Sequence, residues 1–442
     1  MTELLNGIPL LTGWAAPTAW ALTVLVVTLL GWTRTRHLGA AGRAAVLGGG
    51  PVVGLASWVA VDVVWRPVAD GLGWFVWLWV GIVALVVLQA VVVPRRSRAG
   101  RRRRRLDGAL GSLAAVAAVL VAALLAVNAH FGAYPTLGAA LGLTVEPGTL
   151  ADLPQSAPES ASSRPPGPLL ASWTPPADLP ATGQVVEQAI PASDPRFAPR
   201  PALVYLPPAY LTADRPLLPV LVLLAGQPGE PRDWFTAGNA QASLDAWAQR
   251  HHGLAPVVVV PDPLGSNTAN PVCSDAHLGN VATYLQRDVP AWIEQNLQVD
   301  TDRSRWAIGG LSNGGTCALQ VITRDPQAYH SALVLSGELH PTLGTPEETI
   351  AVAFGGDADA YADNDPLTLL GRRLYSGTAV LFSAGVDDET YLPAVQQLEA
   401  AAKAAGMTTE LRTYPGGHMW SEWATAFADQ LDWLGVRLGL TS

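Results

Sequence analysis

The segment WAIGGLSNGGTCALQ, residues 306–320, decides how the rest of the chain is read. Its first residues, Trp306 to Gly309, are apolar or small, as in a strand buried on both faces. From Thr316 onward apolar side chains recur at helical spacing. Between the two, Gly310, Ser312 and Gly314 form G-x-S-x-G in a strand–turn–helix context. The steric logic is that a serine on a sharp turn lifts its hydroxyl above the sheet, while glycines on either side leave room for neighbouring backbone. At the start of the helix, the amide of Asn313 can face a developing oxyanion, with the helix dipole behind it. Ser312 is therefore the candidate nucleophile. A glycine-rich structural turn is the alternative.

Outward from this turn, apolar runs alternate with helical patterns. LVYLPP, PVLVLLAG, PVVVVPD, WAIGGLS, ALVLSG and AVLFSAG read as short strands. VATYLQRDVPAWIEQNL, TCALQVITRDP, PAVQQLEAAAKAAGM and SEWATAFADQLDWLGVRL read as helices. Such alternation implies a mainly parallel sheet with helices on both faces, expected over residues 183–442.

A serine hydroxyl needs a base. On a scaffold of this kind the partners follow the nucleophile in the order acid, then His. Of the eight histidines, His418 lies in TYPGGHMW, after a predicted strand and before the final helix. The acid should end the preceding strand, and AVLFSAGVDDETY offers Asp387, Asp388 and Glu389 there. Asp388 is preferred, with Asp387 as the alternative and Asp357, ending AVAFGGD, as an outside candidate. One carboxylate would fix the imidazole tautomer and stabilise the imidazolium. The second oxyanion donor should come from the loop after VLVLLAG, where the backbone amide of Gln227 is the natural choice and Gly229 helps the loop approach.

The first 130 residues are different. Four apolar stretches, roughly Trp14–Trp32, Ala44–Trp65, Gly73–Val93 and Leu110–Asn128, each have 19 to 22 residues, enough to cross a hydrocarbon core. Trp14, Trp32, Trp65 and Trp74 sit near their ends, where indoles favour the interface. The first connection carries Arg34, Arg36 and Arg43; the third carries Arg95, Arg96, Arg98 and Arg101 to Arg105; the second has only Arg66. Positive loops stay inside. The expectation is a multi-pass plasma-membrane region, residues 1–130, with its N-terminus and everything after about residue 130 outside the cytoplasm. No cleavable signal peptide is expected, because the start lacks a basic region. Asp62 falls near the outer end of the second span and reads as an interfacial carboxylate. Residues 131–182, with LPQSAPESASSRPPGP, read as an extended Pro/Ser-rich linker.

Twelve of the 27 basic side chains precede residue 106, and only Glu3, Asp62, Asp70 and Asp107 are acidic before residue 131. The remainder carries 15 basic against 32 acidic side chains, a net charge of −17, which disfavours a nucleic-acid partner. Cys273 and Cys317 are too few for a zinc site and are not spaced as a redox pair. Outside the cytoplasm they can pair across a loop of about 45 residues, worth roughly 4 kcal/mol in the chain-entropy model; two buried free thiols are the alternative.

With LVYLPPAY, LLAGQPGEPRDWF, GLSNGG, GVDDETY and PGGHMWSEW in this order, residues 183–438 resemble the esterase family of α/β-hydrolases that includes antigen 85 mycolyltransferases, feruloyl esterases, enterochelin esterases and S-formylglutathione hydrolases. The resemblance implies an α/β-hydrolase domain behind the four-span α-helical transmembrane region. It also implies acyl-enzyme chemistry on a small-molecule, lipid or glycolipid ester, with no metal and no other cofactor. The Gln227 loop and the FGGD–DPLTLL segment are similar to the antigen 85 branch. The chain departs from that branch in using Asp rather than Glu as the acid and in its N-terminal spans, an arrangement similar to cell-envelope proteins of high-GC Gram-positive bacteria. Acyl transfer to a sugar or envelope glycolipid is the alternative to hydrolysis. A non-catalytic envelope-binding protein would be marked by a lost triad position, and all three are filled. The segment between Glu338 and Ser376 is expected to roof the pocket, with Trp234, Asn270, Tyr361 and Trp420 as candidate lining residues. The sequence names neither the substrate nor the oligomeric state.

Overall fold

The computed structural model describes residues 5, 8–11, 15–36, 38–65, 72–91, 101–141, 148, 150, 164 and 166–442. The chain divides into two units, Met1–Thr144 and Val145–Ser442. Residues 142–147, 149, 151–163 and 165 of the expected linker, and Trp14, Arg66, Arg95, Arg96 and Arg98, lie outside the described residues.

The first unit is helical: α1 (Ala15–Thr35), α2 (Ala40–Trp58, continued by a π-helical turn Val59–Trp65), α3 (Trp74–Val91) and α4 (Arg101–Phe131). Among the described residues three stretches are long and apolar enough to cross a membrane: Ala40–Trp65, Trp74–Val91 and Leu110–Phe131. The first expected span is a helix of 21 residues, Ala15–Thr35, and is not among these three. Helices α2 and α3 approach closely because Gly50, Gly54 and Gly81 face one another; a Cβ at Gly54 would stand 2.7 Å from the Trp77 carbonyl oxygen. The Asp62 carboxylate accepts from the Trp77 indole at 2.6 Å and from the Leu72 amide at 3.1 Å, so this acid is satisfied within the unit.

The second unit is built on eight strands: β1 (Gln184–Gln188), β2 (Ala202–Leu206), β3 (Val220–Leu224), β4 (Val257–Val260), β5 (Trp306–Leu311), β6 (Ser331–Leu335), β7 (Ala379–Gly385) and β8 (Thr408–Tyr414). Their spatial order is β1-β2-β4-β3-β5-β6-β7-β8. β4, β3, β5, β6, β7 and β8 pair in parallel, and β2 runs antiparallel to both of its neighbours. Every residue of β2 through β7 is buried, which explains why these strands read as unbroken apolar runs. The parallel strands all point their C-terminal ends to one edge, where the loops carry the candidate site residues. Three helices lead away from those loops: α5 (Asn313–Arg324), α6 (Tyr391–Ala404) and α7 (Trp420–Arg437).

The poorly patterned stretch between Glu338 and Ser376 contains three short helices, Pro346–Phe354, Ala358–Ala362 and Pro366–Arg372. Their signals are local caps and not periodicity. Thr345 and Glu348 form a reciprocal capping box, and Asp365 caps the third helix through the Thr368 amide. Asp357, the outside candidate for the catalytic acid, instead caps the second helix, accepting from the amides of Asp359 and Ala360.

Candidate active site

β5 ends at Leu311 and α5 begins at Asn313, leaving Ser312 alone at the corner with φ +52° and ψ −126°. A non-glycine residue there costs on the order of 1–3 kcal/mol and persists only where its surroundings fix it. Its amide donates to the Leu335 carbonyl of β6 at 2.8 Å, and its carbonyl accepts from Thr316 at 3.0 Å. The flanking glycines are sterically required. A Cβ at Gly310 would collide with the Gly314 carbonyl, and one at Gly314 with the carbonyls of Leu224 and Ala225 at the end of β3.

His418 lies between β8 and α7. Its Nε2 is 2.9 Å from Ser312 Oγ, and its Nδ1 is 3.0 Å from Asp388 Oδ2. The imidazole stacks on the Tyr391 ring at 3.9 Å and lies perpendicular to the Trp423 ring, centroid to centroid at 4.8 Å. Trp423 is itself tied to Ser336 Oγ through its indole N–H at 3.2 Å. Asp388 is 5% exposed, and its second oxygen accepts from the Tyr391 amide at 3.0 Å. The turn after β7 decides which aspartate faces inward. The Asp387 amide donates to the Gly416 carbonyl and leaves its side chain exposed, whereas the Asp388 amide turns back onto the Gly385 carbonyl.

Neither the Asn313 amide nor the Gln227 amide donates to an acceptor among the described residues. Gly226 brings the Gln227 loop against the serine: a Cβ there would stand 3.2 Å from Ser312 Cβ. The Gln227 side chain donates to the Thr268 carbonyl at 2.7 Å and accepts from Asn270 at 3.4 Å.

The aromatic candidates for the pocket separate. Trp234 is fully buried and donates its indole N–H to the Leu224 carbonyl, so it is a core residue and not a pocket wall. Trp420 packs edge-on against Trp234 and Trp423 and is half-buried. Tyr361 belongs to a separate apolar cluster with Val272, Ala353 and Phe354. Asn270 is the candidate that reaches the oxyanion loop, bridging Gln227 and the Thr342 carbonyl. Cys273 and Cys317 form a disulfide that ties the segment after β4 to α5, about one turn beyond Ser312.

Two features near the triad carry no sequence signal. Tyr391 acts through a backbone amide and a ring face. Glu422, in the first turn of α7, is 1% exposed, and neither carboxylate oxygen has a hydrogen-bond partner. Burial, reinforced by the Asp388 charge, pushes its carboxyl up to about 8.

A family model described as "Putative esterase" matches residues 198–434, more than half of the chain. The chain belongs to this esterase family. The esterase is 36% identical over 440 residues to an uncharacterized protein of Corynebacterium glutamicum, covering 95% of this chain and 96% of that one. It is 25% identical to S-formylglutathione hydrolase of Paracoccus denitrificans over 256 residues, which cover 53% of the esterase and 88% of that enzyme. A solved ferulic acid esterase superposes on 58% of the esterase and 98% of its own chain, with a TM-score of 0.50 at 20% identity, a likeness of fold. The esterase is a serine hydrolase of the α/β-hydrolase fold.

Proposed function

We propose that this chain is a membrane-anchored serine esterase that cleaves carboxylic esters through an acyl-enzyme on Ser312. The observation that carries the reading is one imidazole, His418, within hydrogen-bond reach of both Ser312 Oγ at 2.9 Å and Asp388 at 3.0 Å. In this reading His418 Nε2 takes the hydroxyl proton as Ser312 Oγ attacks the ester carbonyl. Asp388 holds the Nδ1–H tautomer and balances the imidazolium. The amides of Asn313 and Gln227 receive the negative oxygen of the tetrahedral intermediate. The imidazolium then protonates the leaving alcohol, and water resolves the acyl-enzyme by the same steps with His418 again as base.

Three apolar helices of membrane-spanning length support anchoring. The arginines of the first and third connections support a cytoplasmic side for those loops and an external side for the hydrolase unit. The Cys273–Cys317 disulfide agrees with an oxidising compartment.

The test is labelling of the full-length protein with a fluorophosphonate probe. Wild type should label, and Ser312→Ala and His418→Ala should not. Labelling that survives Ser312→Ala would refute the nucleophile. Reporter fusions after residue 141 and within residues 92–100 should report opposite sides of the membrane.

A further inference from the structure

The oxyanion donor expected from Gln227 sits on a loop, and a loop amide is useful only if something fixes its peptide plane. The fixing group lies two strands away in space. Arg200 precedes β2, and β2 pairs with β4, whose chain continues to Asp262. Asp262 is 0% exposed. Its carboxylate takes the Arg200 fork in full, Nε to Oδ2 at 2.8 Å and Nη2 to Oδ1 at 2.8 Å, together with the Arg200 amide at 2.8 Å. The amides of Leu264 and Gly265 complete its shell at 3.1 and 3.0 Å. A buried carboxylate with this many donors is a rigid anchor, and a bidentate guanidinium on it has little rotational freedom left.

The outward side of the same guanidinium holds the oxyanion loop. Nη2 donates to the Gly229 carbonyl at 2.9 Å, and Nη1 donates to the Asn267 side chain. Asn267 returns the contact through its own carbonyl, which accepts from the Gly229 amide at 3.0 Å. Gly229 is thereby gripped at both its N–H and its C=O. Two residues earlier, the Gln227 side chain is pinned to the Thr268 carbonyl. The loop folds tightly on itself here, and only glycine fits at 229: a Cβ there would lie 2.5 Å from the Gly226 carbonyl oxygen.

We propose that Arg200 is a positioning residue for catalysis, transmitting the fixed geometry of Asp262 through Gly229 to the backbone amide of Gln227. The inference rests on the acyl-enzyme reading of Ser312. It predicts a particular kinetic signature. A displaced oxyanion donor weakens the transition state and leaves ground-state ester binding largely as it was, so kcat falls and KM holds. Loss of one complete oxyanion donor costs about 10²–10³ in kcat; partial misplacement should cost about 10–100-fold.

The experiment compares full-length wild type, Arg200→Lys, Asn267→Ala and Ser312→Ala in detergent with a p-nitrophenyl ester, measuring kcat, KM, the pH midpoint of kcat and the thermal midpoint. Lysine keeps the charge opposite Asp262 but lacks the fork that reaches Gly229. Arg200→Lys should lose about 10–100-fold in kcat, with KM within about threefold and the pH midpoint unmoved, because the Ser312–His418–Asp388 relay is untouched. Asn267→Ala removes one outer contact and should give the same signature at smaller size. A folded Arg200→Lys with wild-type kcat, or with a raised KM at unchanged kcat, overturns the proposal. If Arg200→Lys does not fold, Asn267→Ala decides: wild-type kcat there overturns it equally. Ester hydrolysis that persists in Ser312→Ala would show instead that the underlying reading has failed.

Discussion

Glu422→Gln offers a quantitative test of how the site is packed. Glu422 is buried behind the catalytic loop with both carboxylate oxygens unpartnered, and the nearby Asp388 carboxylate adds like charge. Both effects disfavour its anion and lift the carboxyl from 4.5 to about 8. The folded state therefore holds this proton more tightly than the unfolded chain does. Below pH 4.5 both states are protonated and the residue contributes no pH dependence. Between 4.5 and about 8 the unfolded chain gives up the proton first, and folded stability falls by about 1.4 kcal/mol per pH unit. Above about 8 the loss levels off at about 5 kcal/mol.

Glutamine has the same shape and never ionises, so the variant should not show this slope. Titration of all other groups cancels in the comparison. Thermal midpoints of full-length wild type and Glu422→Gln, taken from about pH 4 to 9, should nearly coincide at the acid end and diverge above neutrality. At about 2–4 °C per kcal/mol, the variant should melt roughly 10 °C or more higher at pH 9. At about pH 7, where wild-type Glu422 is mostly protonated, ester hydrolysis by the two proteins should be similar. A constant offset between the melting curves at every pH would refute the argument, because it would mean Glu422 titrates alike in the folded and unfolded chain.

Other substitutions separate the roles of neighbouring residues. Asp388→Asn should lower kcat by about 10⁴-fold through loss of the Nδ1–H tautomer, while Asp387→Asn should stay within about twofold of wild type in the same ester assay. Gly314→Ala places a methyl against the carbonyls of Leu224 and Ala225; it should cost at least about 3 kcal/mol, read as loss of folded protein or of fluorophosphonate labelling. Trp234→Ala should cost about 3–5 kcal/mol in unfolding free energy, as expected of a core indole, and a change confined to KM would contradict that assignment. Reduction of Cys273–Cys317 should lower the thermal midpoint by an amount equivalent to about 2–5 kcal/mol, with no effect in a Cys273→Ser, Cys317→Ser double variant.

The position of Ser312 was legible because its signal is local: the strand, the turn glycines and the helix are contiguous. His418 was legible for a related reason, as the histidine in the loop between the last strand and the last helix. The choice between Asp387 and Asp388 was a preference only, since neighbouring residues on a turn point to opposite sides and the hydrogen bonds of Asp387 to Gly416 and Asp388 to Gly385 are what orient them. Aromatic side chains misled at Trp234, because an indole suits a core as well as a pocket and composition does not distinguish them. Arg200 and Glu422 were silent. A lone arginine before a strand and a glutamate in the first turn of a helix read as ordinary surface residues until tertiary packing buries the carboxylate that Arg200 grips, and Glu422 itself.

The sheet order explains why a site of four separate loops can be rigid. Gln227, Ser312, Asp388 and His418 follow β3, β5, β7 and β8, all at the C-terminal edge of parallel neighbours. Between β5 and β7 stands β6. Ser336, just past β6, adopts φ +45° and donates its amide to the Ser383 carbonyl on β7, which holds that connection down against the sheet. Its hydroxyl then receives the Trp423 indole N–H, and the Trp423 ring packs perpendicular to His418. The same loop therefore supports the indole that packs against the imidazole. Removing that support should leave the residues of the relay in place and loosen only their alignment. Ser336→Ala keeps the backbone bond to Ser383 but loses the Trp423 contact, so kcat should fall modestly, by about tenfold or less, with KM and folding intact. A larger loss, or one accompanied by unfolding, would mean that Ser336 supports the sheet edge and not the histidine.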